Sequence, residues 1–295
     1  VTLMVLGAGG QVGRATVRAA AAAGVPCRAF DRRTLDITDA DRLTAAVARL
    51  KPAAIVNAAA DADVDGAEAD PGRAFAVNRD GAANVARAAA AGNALLLHLS
   101  TDYVFDGVEA GPYVEGDPVA PVNRYGESKA AGEAAVATIA RRHLIVRSSW
   151  LFGPGEGNFL SAMLSLRWRG EIGVVDDQTG GPTPAAALGE VLVAMARQAA
   201  AADFADFGIY HFSGAPDVTW CGFAREIFRH VAGPRIRPIG SAEWPSAAAR
   251  PANSRLDCSH IREVFGIVRP DWRVALAALL AQQAIGGGAG ADNGA

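Results

Sequence analysis

Cysteine is scarce in this chain: among 295 residues there are only Cys27, Cys221 and Cys258. They lie far apart with no C-x-x-C spacing, which excludes a disulfide scaffold and fits a reduced compartment. With five scattered histidines they make no zinc-site spacing, and no metal is expected. Positive charge is not in excess either, since 28 Lys+Arg stand against 31 Asp+Glu, a net charge of −3. Basic residues come at most in pairs, such as Arg32-Arg33 and Arg141-Arg142, so neither nucleic acid nor an anionic membrane is an expected partner. No apolar run approaches the roughly 20 residues that cross a bilayer. The strand-like run from Val1 to Leu6 leads straight into a glycine turn, so no secretory leader is expected. The cytoplasm is the expected location.

What is present suits a folded chain: 51% hydrophobic and 20% charged residues, over a length that buries one large core or a large and a small one. Short apolar runs alternate with alanine-rich helical stretches through the first half. Strands are predicted at 3–6, 27–30, 54–57, 95–99 and 144–147. The helices between them are predicted at 11–23, 39–50 (capped by Thr38 or Asp39), 72–91 and 125–141. Strands this uniformly apolar are expected to be buried on both faces, as in a parallel sheet covered by helices. The fold class is therefore α/β, a Rossmann-like doubly wound sheet over residues 1–150. After Trp150, glycine and proline punctuate the chain, and residues 151–284 read as a smaller mixed α/β substrate lobe interleaved with the first domain. The tail 285–295, rich in glycine and alanine, is expected to lack structure.

The first chemical signal is Gly7-Ala8-Gly9-Gly10-Gln11-Val12-Gly13, between a strand and a helix. Glycine at 7 permits a tight turn, at 10 it lets the backbone approach a pyrophosphate, and at 13 it lets helix and strand pack closely. The adenosine end is expected after the second strand, where Asp31 suits ribose hydroxyls and Arg32 or Arg33 a 2′-phosphate. These options conflict and leave NADPH and NADH both open. The second signal is Tyr125-Gly126-Glu127-Ser128-Lys129, which sets a phenol and an ammonium on one helical face. The ammonium is expected to lower the phenol's pKa toward the working pH, making it a proton donor to a reduced carbonyl. Thr101, at the carboxyl end of the fourth strand, adds a hydroxyl for the same oxygen. His98 reads as a satisfied core residue, and Trp220, Trp244 and Trp272 as packing residues.

The loop at Gly7–Gly13, Asn57-Ala58-Ala59-Ala60, Ser100-Thr101-Asp102-Tyr103-Val104-Phe105, and Tyr125 with Lys129 together resemble the extended short-chain dehydrogenase/reductases. A narrower likeness is to the dTDP-4-dehydrorhamnose reductase family. It rests on Gly10-Gln11-Val12-Gly13, Val64-Asp65-Gly66-Ala67-Glu68, Val77-Asn78 and the string from Ser100 to Gly107. It rests also on Arg147-Ser148-Ser149-Trp150, Gly180-Gly181-Pro182-Thr183 and Arg250-Pro251-Ala252-Asn253-Ser254-Arg255. The resemblance implies reduction of the C4 ketone of a dTDP-6-deoxy sugar by NADPH or NADH. Thr101, Tyr125 and Lys129 would be catalytic. Gly7, Gly10, Gln11, Val12, Gly13, Asp31, Ala58, Ala59, Ala60, Tyr125 and Lys129 would lie along the cofactor, with Asp36 and Ile37 near its adenine.

On the same resemblance Thr101, Asp102 and Trp150 would touch the sugar, Trp150 as a flat apolar wall, while Arg250 and Arg255 suit either the diphosphate or surface ion pairs. One departure is Asp61-Ala62, where the family carries a bulky or polar residue and then a threonine; the lost hydroxyl removes one cofactor contact. Two other classes compete. One is a related nucleotide-sugar ketoreductase or epimerase, and the other a non-catalytic subunit like that regulating methionine adenosyltransferase. A homodimer is the default expectation.

Overall fold

The computed structural model describes residues 2–288. β1 (Leu3–Leu6) is buried at every position and turns through Gly7 into α1 (Gln11–Ala22). β2 (Cys27–Phe30) follows, then α2 (Ala40–Leu50), whose N-cap Asp39 accepts from the Arg42 amide, and β3 (Ala54–Asn57). Where one helix was expected over 72–91 there are several pieces. They are α4 (Pro71–Phe75), a π-helical turn at Ala76–Gly81 and α5 (Ala82–Ala91), and a further helix, α3 (Val64–Ala69), precedes them. Asp63 and Asp70 each cap a new helix start. The π turn carries Asn78, whose side chain bonds the Asp61 backbone at both ends and the Ser128 hydroxyl.

β4 (Leu95–Thr101), α6 (Arg124–Ile139) and β5 (His143–Ser148) complete the first half. Beyond it come β6 (Leu151–Phe152), α7 (Phe159–Ser165), β7 (Glu171–Val175), β8 (Thr179–Gly180) and β9 (Thr183–Pro184). α8 (Ala185–Gln198), β10 (Gly208–Phe212), β11 (Val218–Thr219), α9 (Trp220–His230) and β12 (Arg235–Ile239) follow. The last elements are β13 (Asn253–Ser254), α10 (Ser259–Phe265) and α11 (Trp272–Gly288). The expected structureless tail thus begins inside α11, and its remainder, 289–295, lies outside the described residues.

The main sheet runs β10-β5-β4-β3-β1-β2, and every pairing in it is parallel. Successive side chains of a strand point to opposite faces, so Leu3, Val5, Val56, Leu97 and Val146 fill one core while Met4, Leu6, Ile55, Leu96 and Ile145 fill the other. β2 departs from the expected double burial: it is the edge strand, and Arg28 and Ala29 are exposed. The boundary near residue 150 is crossed twice. β10 supplies the sixth strand, and α8 packs on α1 so closely that a Cβ at Gly189 would fall 2.6 Å from the Ala15 carbonyl carbon. The smaller lobe has its own core around Trp150, Phe152, Leu160, Phe223 and Trp272. No helix among the described residues is long and apolar enough to cross a membrane.

Strand order reverses at β1, with β2 on one side and β3 on the other. The loops after β1 and β3 therefore diverge and leave a crevice at the carboxyl edge of the sheet, where open α/β sheets take ligands.

Candidate active site

Two cavities fill this crevice. One of about 520 Å³ is lined by Gly7, Gly9, Gly10, Asp31, Asp36, Ile37, Ala58, Ala59 and Ala60. The other, about 580 Å³, is lined by Gln11, Val12, Thr101, Asp102, Tyr125, Lys129 and Trp150. Gly9, Gly10, Ala58 and Ala60 border both, so they form one continuous cleft. Of the residues expected along the cofactor or the sugar, Gly13 alone lines neither cavity: a Cβ there would come 2.2 Å from the Gly7 carbonyl oxygen. Gly7 itself has φ +75°, and a Cβ on it would meet the Ala59 amide at 2.5 Å. Gly10 caps α1 without a side-chain bond, which leaves the first amides of the helix free for a ligand.

A dinucleotide fits these residues. The glycine cradle admits a phosphate where a Cβ would block it, and the buried amide nitrogen of Gln11 lacks a partner at the cleft. At the far end Thr34 donates through both amide and hydroxyl to Asp31 Oδ1 and holds that carboxylate below its usual range. Arg32 leans on Asp36 at 3.4 Å, and Arg33 also borders the cavity. Asp61, at the departure from the family pattern, is engaged by Arg73 at 2.7 Å, and Ala62 borders the inner cavity.

The catalytic helix is fixed from several sides. Asn123 caps α6 by accepting from the Gly126 amide. Gly126 sits so close to the Tyr103 carbonyl that a Cβ would come within 2.1 Å, and Gly132 is equally tight against Asn78. One turn past Lys129, Glu133 makes a buried bidentate pair with Arg147 of β5, at 2.9 and 2.7 Å. His211 of β10 backs the same guanidinium, and its burial holds the imidazole neutral, down to about 3.

The expected coupling of Tyr125 and Lys129 takes a different form. Lys129 Nζ donates to the Leu99 carbonyl at 2.7 Å, and no hydrogen bond joins it to the phenol. Burial pushes Tyr125 up to about 12, against the pull of the neighbouring Thr101 hydroxyl; it is not lowered. The phenol therefore keeps its proton at neutral pH, the form a proton donor needs. Burial also lowers Lys129 to about 8, which the Glu133 carboxylate opposes. Thr101 donates to Asp102 Oδ1 at 2.9 Å, and burial raises Asp102 to about 7.

Trp150 borders the inner cavity but is mostly buried, 8% exposed. Its backbone sits at φ +45°, strained for a side chain of this size, and its indole donates to Ser254 at 3.2 Å. Trp220 stacks on it with centroids 3.4 Å apart, and a Cβ at Gly180 would strike the indole at 2.5 Å. Trp220, read from sequence as packing, is the outer member of the stack and lines the cavity with Phe159. Trp244, also read as packing, is 53% exposed, whereas Trp272 is buried as expected. Arg250 pairs with Asp65, and Arg255 bonds Asn253 and the Ala110 carbonyl, so both arginines serve the fold. His98 is buried and bonds Asn57 through Nδ1, but its Nε2 has no partner.

Comparison with known proteins agrees with this geometry. The family model described as RmlD substrate binding domain matches residues 1–285. The dTDP-4-dehydrorhamnose reductase of Aggregatibacter actinomycetemcomitans is 41% identical, across 93% of this chain and 96% of its own. A crystal structure of the Clostridium acetobutylicum dTDP-4-dehydrorhamnose reductase superposes with a TM-score of 0.91 at 31% identity, covering 96% of this chain and all of that one (100%). The Bacillus anthracis dTDP-4-dehydrorhamnose reductase, solved in complex with NADP, gives 0.89 at 33% identity over 95% of this chain and 99% of its own. The chain belongs to the dTDP-4-dehydrorhamnose reductase family.

Proposed function

We propose that this chain reduces the C4 ketone of a dTDP-4-keto-6-deoxy sugar, converting dTDP-4-dehydrorhamnose to dTDP-L-rhamnose with NADPH, or NADH in its place. The observation that carries this is a protonated Tyr125 beside the Thr101 hydroxyl, at the carboxyl edge of β4 and at the end of a glycine-lined cleft. Relatives bearing that activity in their names and an NADP complex of one of them support it. When bound, the reduced dinucleotide supplies the hydride. Gly9, Gly10 and the first amides of α1 would hold its pyrophosphate, Asp31 its adenosine ribose, and Lys129 its inner ribose.

Tyr125 gives its proton to the oxygen of the forming alkoxide, and Thr101 holds that oxygen in place. Lys129 contributes a positive charge fixed by Leu99 and sustained by Glu133. Trp220 and Phe159 present the aromatic surface that faces the substrate, with Trp150 braced behind them. A cytoplasmic location accompanies the reading, and three cysteines without disulfide partners support it.

The test is loss of NADPH absorbance on adding dTDP-4-dehydrorhamnose, with product configuration read by NMR. Oxidation with formation of dTDP-L-rhamnose is expected. Cofactor binding without oxidation by any dTDP-ketosugar overturns the reading and favours a non-catalytic role.

A further inference from the structure

Among the described residues, the buried side-chain polar atoms without a hydrogen-bond partner are Gln11 Nε2, His98 Nε2, Ser100 Oγ, Asp102 Oδ2 and Ser148 Oγ. All but His98 belong to residues that line the inner cavity. Buried polar groups are nearly always paired, so an unpaired one at a cavity wall marks a place that a ligand completes.

The pleat of the sheet tells which of these groups belong together. Leu144 and Val146 of β5 pack into the core that holds Val12 of α1, and side chains alternate, so Ser148 points to the α1 face. Gln11 is the first residue of α1, and its amide nitrogen packs against Gly153, where a Cβ would come within 3.0 Å. Ser100 points the other way, with Leu96 of β4, toward the core that holds Val136 of α6. Gln11 and Ser148 thus face one cavity from the same side of the sheet. The adjacent Ser149 is the contrast: its hydroxyl donates to the Gly181 carbonyl at 2.9 Å, while that of Ser148, a residue 3% exposed, bonds nothing.

A ligand that satisfies this pair carries an acceptor for the amide and a second polar atom for the hydroxyl. Its body is flat and apolar, because Val12, Leu99 and Leu151 line the same cavity. A carboxamide on an aromatic ring has that form, whereas a sugar carries hydroxyls around its whole rim. The register adds a position. Ser148 pairs with Thr101, about 4.8 Å away across the strands and on the same face. In a nicotinamide the carboxamide is borne by the ring carbon next to the one that yields hydride, so a carboxamide at Ser148 suits a ketone oxygen at Thr101.

We propose that Gln11 and Ser148 grip the two ends of the nicotinamide carboxamide: the Gln11 amide donates to its oxygen, and its nitrogen donates to the Ser148 hydroxyl. The grip rests on the ketoreductase reading above, because it requires a nicotinamide cofactor. With the glycine run holding the pyrophosphate, a held carboxamide stops the ring turning about its bond to the ribose, and one ring face stays toward the ketone.

The experiment compares the Kd of NADPH with that of 2′-phospho-ADP-ribose, which keeps every part of the cofactor but the nicotinamide. Both are measured by calorimetry on the wild type, Ser148→Ala and Gln11→Met. Each variant is expected to bind NADPH about 2- to 10-fold more weakly, the worth of one hydrogen bond, and 2′-phospho-ADP-ribose as the wild type does. Melting temperatures give a second readout. Ser148→Ala removes a hydroxyl that bonds nothing in the free chain, so the free protein does not melt lower, but the rise in melting temperature on adding NADPH shrinks. Ser149→Ala, which removes a made bond, lowers the melting temperature and leaves both dissociation constants in place. Wild-type NADPH affinity in Ser148→Ala and Gln11→Met overturns the grip, as does an equal loss for both ligands. A raised KM for the ketosugar at unchanged NADPH affinity assigns the pair to the sugar, which also overturns the grip and leaves the reductase reading standing. A wild-type chain that binds neither NADPH nor NADH overturns both.

Discussion

The two ends of the cleft are built by opposite means. At the cofactor end a single run, Gly7 to Gly13, shapes the phosphate cradle with backbone, and its defining feature is the absence of Cβ atoms at Gly7, Gly10 and Gly13. At the sugar end the surface is made of side chains gathered from β4, α6, the turn after β5, α7 and α9. The first end is specified by one local turn and is rigid because atoms there are already in contact. The second needs residues from both sides of position 150 brought together. Binding at the first should therefore fail when anything is added, and chemistry at the second when anything is removed.

The largest test of that contrast is Tyr125→Phe, which removes the proton donor and nothing else. Turnover is expected to drop by about 10²- to 10⁴-fold, the usual worth of a positioned general acid, while NADPH affinity stays within a factor of about two. Steady-state kinetics with cofactor titration by fluorescence read both quantities. A comparable loss of cofactor binding would mean that the two ends are not separable. Next in size is Gly13→Val, which adds atoms where a Cβ alone already meets the Gly7 carbonyl at 2.2 Å. Overpacking of this kind costs about 1–3 kcal/mol of fold stability, so the melting temperature is expected to fall and the NADPH dissociation constant to rise as the turn is displaced. An unchanged constant would show that the turn yields.

The contrast also explains what could be read from sequence. The glycine run, the Tyr125–Lys129 spacing and the alternation of strand and helix are local patterns, and each lies where the sequence predicted. Ser254 lies behind Trp150 because β13 pairs with β8, a contact made across more than half the smaller lobe. Trp220 and Phe159 carry no local signal of facing a cavity, since an aromatic at a helix start looks the same whether it packs or lines a site. The broken helix over 72–91 was obscured for a related reason: helix propensity is high throughout, and what interrupts it is Asn78 reaching to Asp61 and Ser128. The Tyr125 pKa was misjudged because spacing shows that two groups share a helix face but not that Leu99 takes the ammonium or that burial outweighs charge.

The smallest expected effect sharpens the comparison most, because it separates two tryptophans that one stack joins. Trp150 stacks on Trp220, lies tight against Gly180 and is 8% exposed, so truncating it removes packing and lowers the melting temperature. Trp220 faces the cavity, so Trp220→Ala withdraws a ring from the substrate. Aromatic stacking is worth about 0.5–1.5 kcal/mol beyond burial, which corresponds to a rise in sugar-nucleotide KM of about 2- to 10-fold. kcat should change less than KM, since the ring touches neither Thr101 nor Tyr125 through any hydrogen bond. Trp220→Phe should recover most of the loss by restoring a flat apolar face. If Trp220→Ala instead left KM untouched and only destabilised the chain, the sugar end would be bounded by Phe159 and the edge of Trp150, and the outer ring would belong to the core of the lobe.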